Sequence, residues 1–193
     1  MGYFFYLVRS LDIAYYIAAV MFGVGSYLVL MHLKVEWKQR LAAAVLIAYV
    51  FLVMSVTVLS RGHLIENNTL LKPFWSYAAL IYGKRKYSIL TEIILNILML
   101  IPVGFLLPFL VHRRTVLYGF LCSLCIEVFQ LVTKRGYFEI DDLIHNTLGV
   151  IIGYGIYRLF EKIIGAGRKP QHAGDRVRER ECSPLTKRGK KEE

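Results

Sequence analysis

Glu127 and Gln130 stand three residues apart inside an apolar run, and Asp142 and Asn146 stand four apart at the head of another. On a helix each pair shares a face. Asn96 interrupts a third apolar run, while Arg61 and Arg135 lie just outside such runs. An ionisable side chain within a membrane span costs about 2.5–3.5 kcal/mol on insertion scales, so Glu127 is expected to face a helix bundle and to find a partner there. Arg135, Arg61 and Gln130 are the candidates. Together Arg61, Asn96, Glu127, Gln130, Arg135, Asp142 and Asn146 form a candidate binding set, in which the two arginines meet a phosphate and Glu127 and Asn96 orient a polar head. The same Glu127 is also the candidate catalytic group, a general acid or base acting on a lipid-linked polyprenyl or phospholipid substrate. That reading is the weaker one. Asp141, Asp142 and His145 offer oxygen and nitrogen ligands from a single helix start, with no second His on a neighbouring run, so neither a metal site nor a cofactor is expected. A transporter would need polar groups at midplane and an inverted repeat; no repeat is visible.

The elements that must position these residues follow from composition. The 193-residue chain is 56% hydrophobic and 20% charged, with a formal net charge of +10. Soluble domains run about 45–50% apolar and 25% charged, so the excess has to be buried in something larger than one small core. Generally disordered chains and, with three Cys, disulfide scaffolds are excluded. A span needs about 20 mostly apolar residues. Five stretches meet or approach this: 13–33, 41–59, 93–111, 115–132 and 143–160. The fold class is therefore all-α, a polytopic membrane bundle of about five transmembrane helices over residues 1–164, followed by a basic tail, 165–193, of disorder-type composition.

The connections between these spans are short, apart from 60–90. The middle of that stretch, Leu70 to Tyr77, is aromatic and too short to cross, which suits an interfacial or re-entrant piece; an ordinary loop with a few anchoring aromatics is the alternative there, and a sixth span somewhere in 60–90 would change the topology of the N-terminal half. Pro102 and Pro108, with Gly104 between them, lead us to expect a kink below Asn96. Gly149 and Gly153 form a small-xxx-small spacing that admits another backbone, and the short connection before the fifth span points to the fourth as that neighbour.

Orientation follows from charge. With the N-terminus outside and the C-terminus cytoplasmic, 16 of the 24 Lys and Arg fall on the inner side, as the positive-inside rule requires. The +10 then reads as a topology signal, and no nucleic-acid partner is expected. At about 1.5 Å per residue, Glu127, Gln130, Asn96 and Asn146 all fall within about 8 Å of the outer ends of their spans. Cys122 and Cys125 sit inside a span and read as small apolar side chains.

Three stretches carry a resemblance. Asn96-Ile97-Leu98-Met99-Leu100-Ile101-Pro102-Val103-Gly104, then Glu127-Val128-Phe129-Gln130, then Asp142-Leu143-Ile144-His145-Asn146-Thr147-Leu148-Gly149, preceded by Leu71-Lys72-Pro73-Phe74, resemble the VanZ-like membrane protein family in that order and spacing. The resemblance covers about 41–160 and leaves the first span outside it. Leu100 departs from the family's frequent Phe, and His145 stands at a variable position. What the resemblance implies is a multi-pass protein of a bacterial cytoplasmic membrane, associated with resistance to the glycopeptide teicoplanin. The implied partners are membrane lipids, a lipid-linked cell-wall precursor or a lipoglycopeptide.

Overall fold

The structure, a computed structural model, describes residues 12–62, 69–111 and 114–166. The expected basic tail beyond 166 and most of the 112–114 connection lie outside the described residues. The chain divides into two units, Met1–Leu159 and Phe160–Glu193; of the second, only the end of the last helix is described. The division falls inside that helix, a few residues before the composition changes at 165.

In chain order the elements are α1 (Ile13–Met31), α2 (Trp37–Met54) continued by a π-helical turn (Ser55–Leu59), β1 (Thr69–Leu70), α3 (Trp75–Tyr82), α4 (Lys86–Leu106) ending in a 3-10 turn (Leu107–Phe109), α5 (Thr115–Val132), β2 (Phe138–Glu139) and α6 (Ile140–Ala166). Among the described residues, four helical stretches are long and apolar enough to cross a membrane: 13–31, 37–59, 86–109 and 115–132. The 27-residue α6 is the fifth long helix; it is more polar because Asp141, Asp142, His145 and Asn146 crowd its first turns. The all-α membrane bundle holds. Helices α2, α4 and α6 begin several residues before the apolar runs do, at Trp37, Lys86 and Ile140.

Segment 60–85 makes no sixth crossing in its described parts. Helix α3 is eight residues, about 12 Å against the roughly 30 Å of a hydrocarbon core. β1 pairs in parallel with β2, Thr69 opposite Phe138 and Leu70 opposite Glu139. That pairing joins Thr69 and Leu70 to the α5–α6 connection at one end of the bundle.

Small residues set the close packing. Leu100, Val103 and Val150 form the buried centre, with Leu46, Tyr49, Val50, Met99 and Leu107 around them. The Tyr49 hydroxyl donates to the Met99 carbonyl at 2.8 Å, tying α2 to α4. A Cβ on Gly149 would collide with the Ile97 carbonyl, one on Gly153 with the Ile101 carbonyl, and one on Gly104 with the Val150 carbonyl. The small-residue seam of α6 therefore faces α4, the third span, rather than the fourth as chain proximity suggests. Sequence adjacency brings α5 and α6 together but does not choose which face of α6 turns toward α5; that contact is made by Val150 over Gly119. Helix α4 runs on through Pro102 and tightens into 3-10 geometry around Pro108. Gly104 thus serves the α4–α6 approach.

Helix α1 packs on α2 through Ala19 and Gly23 against Ala44 and Ala48, with Phe22 and Phe51 rings 4.9 Å apart. Most of its other large apolar side chains, such as Ile17 and Val20, are exposed on the surface that lipid covers in a membrane protein.

Candidate functional site

Four helix ends meet at one end of the bundle: the π-helical end of α2, the start of α4, the end of α5 and the start of α6. The π turn is wider than an α-helical one, with Ser60 N–H reaching back to the Ser55 carbonyl at 2.9 Å. The last carbonyls of a helix lack intrahelical donors, and here two are met from α5 and its following loop. Gln130 Nε2 donates to the Thr57 carbonyl at 3.3 Å, and Arg135 Nη1 to the Leu59 carbonyl at 2.6 Å. These two side chains, expected as partners of Glu127, instead fasten α5 to α2.

Glu127 is buried, 1% exposed. Its Oε2 accepts from the backbone N–H of Glu139 at 3.2 Å, so its hydrogen-bond partner is main chain from β2. The side chains of Asp142, Glu139 and Arg61 are close enough to act on it electrostatically. Asn96 Nδ2 donates to Asp142 Oδ1 at 2.6 Å, joining α4 to α6 along the Asp142-Asn146-Gly149-Gly153 stripe. Asn146 is buried one turn below Asp142; among the described residues its Oδ1 and the Oε1 of Gln130 find no donor. Arg61 is exposed just past the π turn, while Asp142, Asn96 and Arg135 are half-buried. The seven expected residues thus gather at one end. Arg61, Asn96, Arg135 and Asp142 remain reachable from outside; Glu127, Gln130 and Asn146 support them from within.

Residues of the 70–77 segment enlarge the cluster. Asp141 is buried, and its carboxylate accepts from Phe74 N–H at 2.5 Å, Ser76 N–H at 2.8 Å and the Ser76 hydroxyl at 2.5 Å. It caps α3 from another helix, satisfying amides that α3 cannot satisfy itself. Phe74 adopts a left-handed backbone, φ 62°, unusual for a bulky residue and held here by that bond. His145 Nε2 shares a hydrogen bond with the Tyr77 hydroxyl at 3.1 Å. Asp141 and His145, weighed above as metal ligands, are directed to these tasks. The signal for the Asp141 role was the Phe74-Trp75-Ser76 helix start, which lacks an acidic cap of its own.

Glu139 lies outside the spans. Burial, and then the Asp142 carboxylate beside it, push its carboxyl up to about 7, while Trp75 draws it down. The indole N–H of Trp75 lies near Glu139 without reaching hydrogen-bond geometry. Carboxyl groups thus crowd this end, with the exposed Arg61 guanidinium within electrostatic reach of Asp142.

Neither a curated protein nor a solved structure matches the chain. The VanZ/LLP1 family model matches residues 41–161. That is well over half of the chain; it begins in α2, leaves α1 outside, and contains every residue of the cluster. With the Asn96, Glu127-Gln130 and Asp142-Asn146 stretches assembled at one end of an apolar bundle, the chain belongs to the VanZ/LLP1 family of membrane proteins.

Proposed function

We propose that this polar end binds the head of an envelope lipid, or the membrane-anchored part of a lipoglycopeptide such as teicoplanin, at the outer face of a bacterial cytoplasmic membrane. Such binding lowers drug engagement with cell-wall precursors and contributes to glycopeptide resistance. The orientation is N-terminus outside and C-terminus cytoplasmic, on the distribution of Lys and Arg. The observation that carries the reading is the layered arrangement of the site. Exposed Arg61 stands over a half-buried Asn96–Asp142 pair, and buried Glu127, Gln130 and Asn146 brace it from below. An arginine fork suits a phosphate, and the Asn96–Asp142 pair offers donor and acceptor groups to amides or hydroxyls. The unsatisfied acceptors on Gln130 and Asn146 suit a polar ligand or ordered water reaching inward.

Binding is favoured over acid-base chemistry because Glu127 is 1% exposed and engaged by the Glu139 amide. A proton-transferring carboxyl must come within hydrogen-bond reach of its substrate. The test is titration of purified protein with a lipid-linked precursor and with teicoplanin, together with drug susceptibility of cells carrying wild type or Arg61→Ala. Saturable binding that weakens about tenfold or more in Arg61→Ala, with a matching loss of resistance, is expected, a tenfold change being the scale of one charge-assisted contact. Absence of saturable binding with unchanged susceptibility would reject it.

A further inference from the structure

Helix α3 and its flanks present an apolar face that no other described element covers. Phe74, Tyr77 and Ile81, spaced i, i+3 and i+7, are exposed along one side, with Leu70 and Leu71 before them. Tyr82 and Tyr87 are 85% and 89% exposed. The opposite side of α3 turns inward, with Ser76 buried and Trp75, Ala79 and Leu80 half-buried. Four cations, Lys72, Lys84, Arg85 and Lys86, rim the apolar face, all exposed.

Two further observations say what covers it. Asp141 clamps the start of α3 to the bundle end where α4 and α6 begin and α2 and α5 finish; the ends of spans lie at the headgroup level. The face combines exposed aromatic side chains with four exposed cations, the composition of an interfacial belt over charged headgroups. We infer that α3 is an interfacial helix whose aromatic face enters the headgroup region of an anionic phospholipid leaflet while Lys72, Lys84, Arg85 and Lys86 hold the lipid phosphates. Rings continue inward from this face. Phe74 and Tyr77 centroids are 6.1 Å apart, and Tyr77 and His145 centroids 5.6 Å. The lipid surface therefore touches the side chains that pack directly on the candidate site.

The experiment places the environment-sensitive fluorophore NBD at Tyr82→Cys in the full chain, with Cys122, Cys125 and Cys182 changed to Ser, reconstituted in phosphatidylcholine vesicles with and without phosphatidylglycerol. The expected result is a blue-shifted, brighter emission in the phosphatidylglycerol vesicles. It should fall back toward the aqueous spectrum in high salt, and also when Lys72, Lys84, Arg85 and Lys86 are all changed to Gln. The salt arm keeps the test decisive where the fourfold variant does not fold. Aqueous emission in both vesicles would overturn the inference. So would equal blue shifts that ignore lipid charge and salt, and so would a shift that follows protein density, which would make the face a contact between copies of this chain.

Discussion

Two regions of this bundle hold helices together by opposite means. Along the α4–α6 seam, glycines bring backbones into contact: Gly149 against Ile97, Gly153 against Ile101, and Gly104 against Val150. At the polar end, side chains from one helix reach the backbone or side chain of another, as Asp141 does to Phe74 and Ser76, Gln130 to Thr57, Arg135 to Leu59 and Asn96 to Asp142. In lipid the first mode depends on close packing, since hydrocarbon gives helices no hydrophobic reason to associate. The second is directional and leaves room between groups. The seam is suited to rigidity and the polar end to binding, and substitutions should separate the two.

The largest effect is expected at the seam. Gly153→Leu forces a side chain into the backbone of α4, beyond ordinary overpacking of about 1–3 kcal/mol, so folded protein should be lost from size-exclusion profiles in detergent. Gly155→Leu is the control: nothing lies within 4 Å of its Cβ position, and it should behave as wild type. Equal behaviour of the two would mean that close backbone packing does not hold the seam together.

Asp141→Ala comes next. It strips the acceptor from two amides and a hydroxyl, at about 1–3 kcal/mol for each buried group left unsatisfied. Hydrogen exchange should show α3 opening, with Ser76 losing protection, while α4 and α6 stay protected along the seam. Uniform loss of protection would mean that the polar end and the seam unfold as one unit.

Asn96→Ala removes a single interhelical bond to Asp142 and should cost less, about 0.6–2 kcal/mol by membrane-protein precedent, read as a modest fall in the unfolding midpoint in detergent. A pH dependence of comparable size, reduced by solvent screening at a half-buried group, is also expected. The Glu139 carboxyl stands at about 7 in the fold against about 4.3 in an unfolded chain. Its contribution is therefore complete below the unfolded value and is lost as pH rises through 7. Wild type should lose more unfolding temperature between pH 5 and pH 8 than Glu139→Gln; an identical loss would contradict this role.

Much of the fold and most of the cluster were legible in the sequence, for definable reasons. Apolar runs of span length give the helices, and a carboxyl or amide inside such a run must turn inward, which is why Glu127, Gln130, Asn96 and Asn146 stood out. The partner of the Gly149-Gly153 stripe was not legible, because helical spacing defines a face but not what it meets; only the Asn96–Asp142 bond and the Ile97 and Ile101 carbonyls show that it is α4. Asp141 and Asp142 are adjacent and look alike in sequence. Helical rotation of about 100° between neighbours sends one to α3 and the other to Asn96, so only the structure separates a clamp from a member of the proposed binding set. Arg135 and Gln130 were legible as residues of this end, but the carbonyls they serve arise from the π turn at Ser55–Leu59, which no residue pattern announces.

Native mass spectrometry of the intact protein released directly from its membrane tests most simply whether the Arg61 end holds a phosphate-bearing lipid head, the proposed ligand that an arginine fork suits best. Wild type and Gly155→Leu should retain a phosphate-bearing lipid that Arg61→Ala, altered at an exposed position, loses selectively. The same bound lipids in all three proteins, or none in any, would contradict lipid-phosphate binding at Arg61.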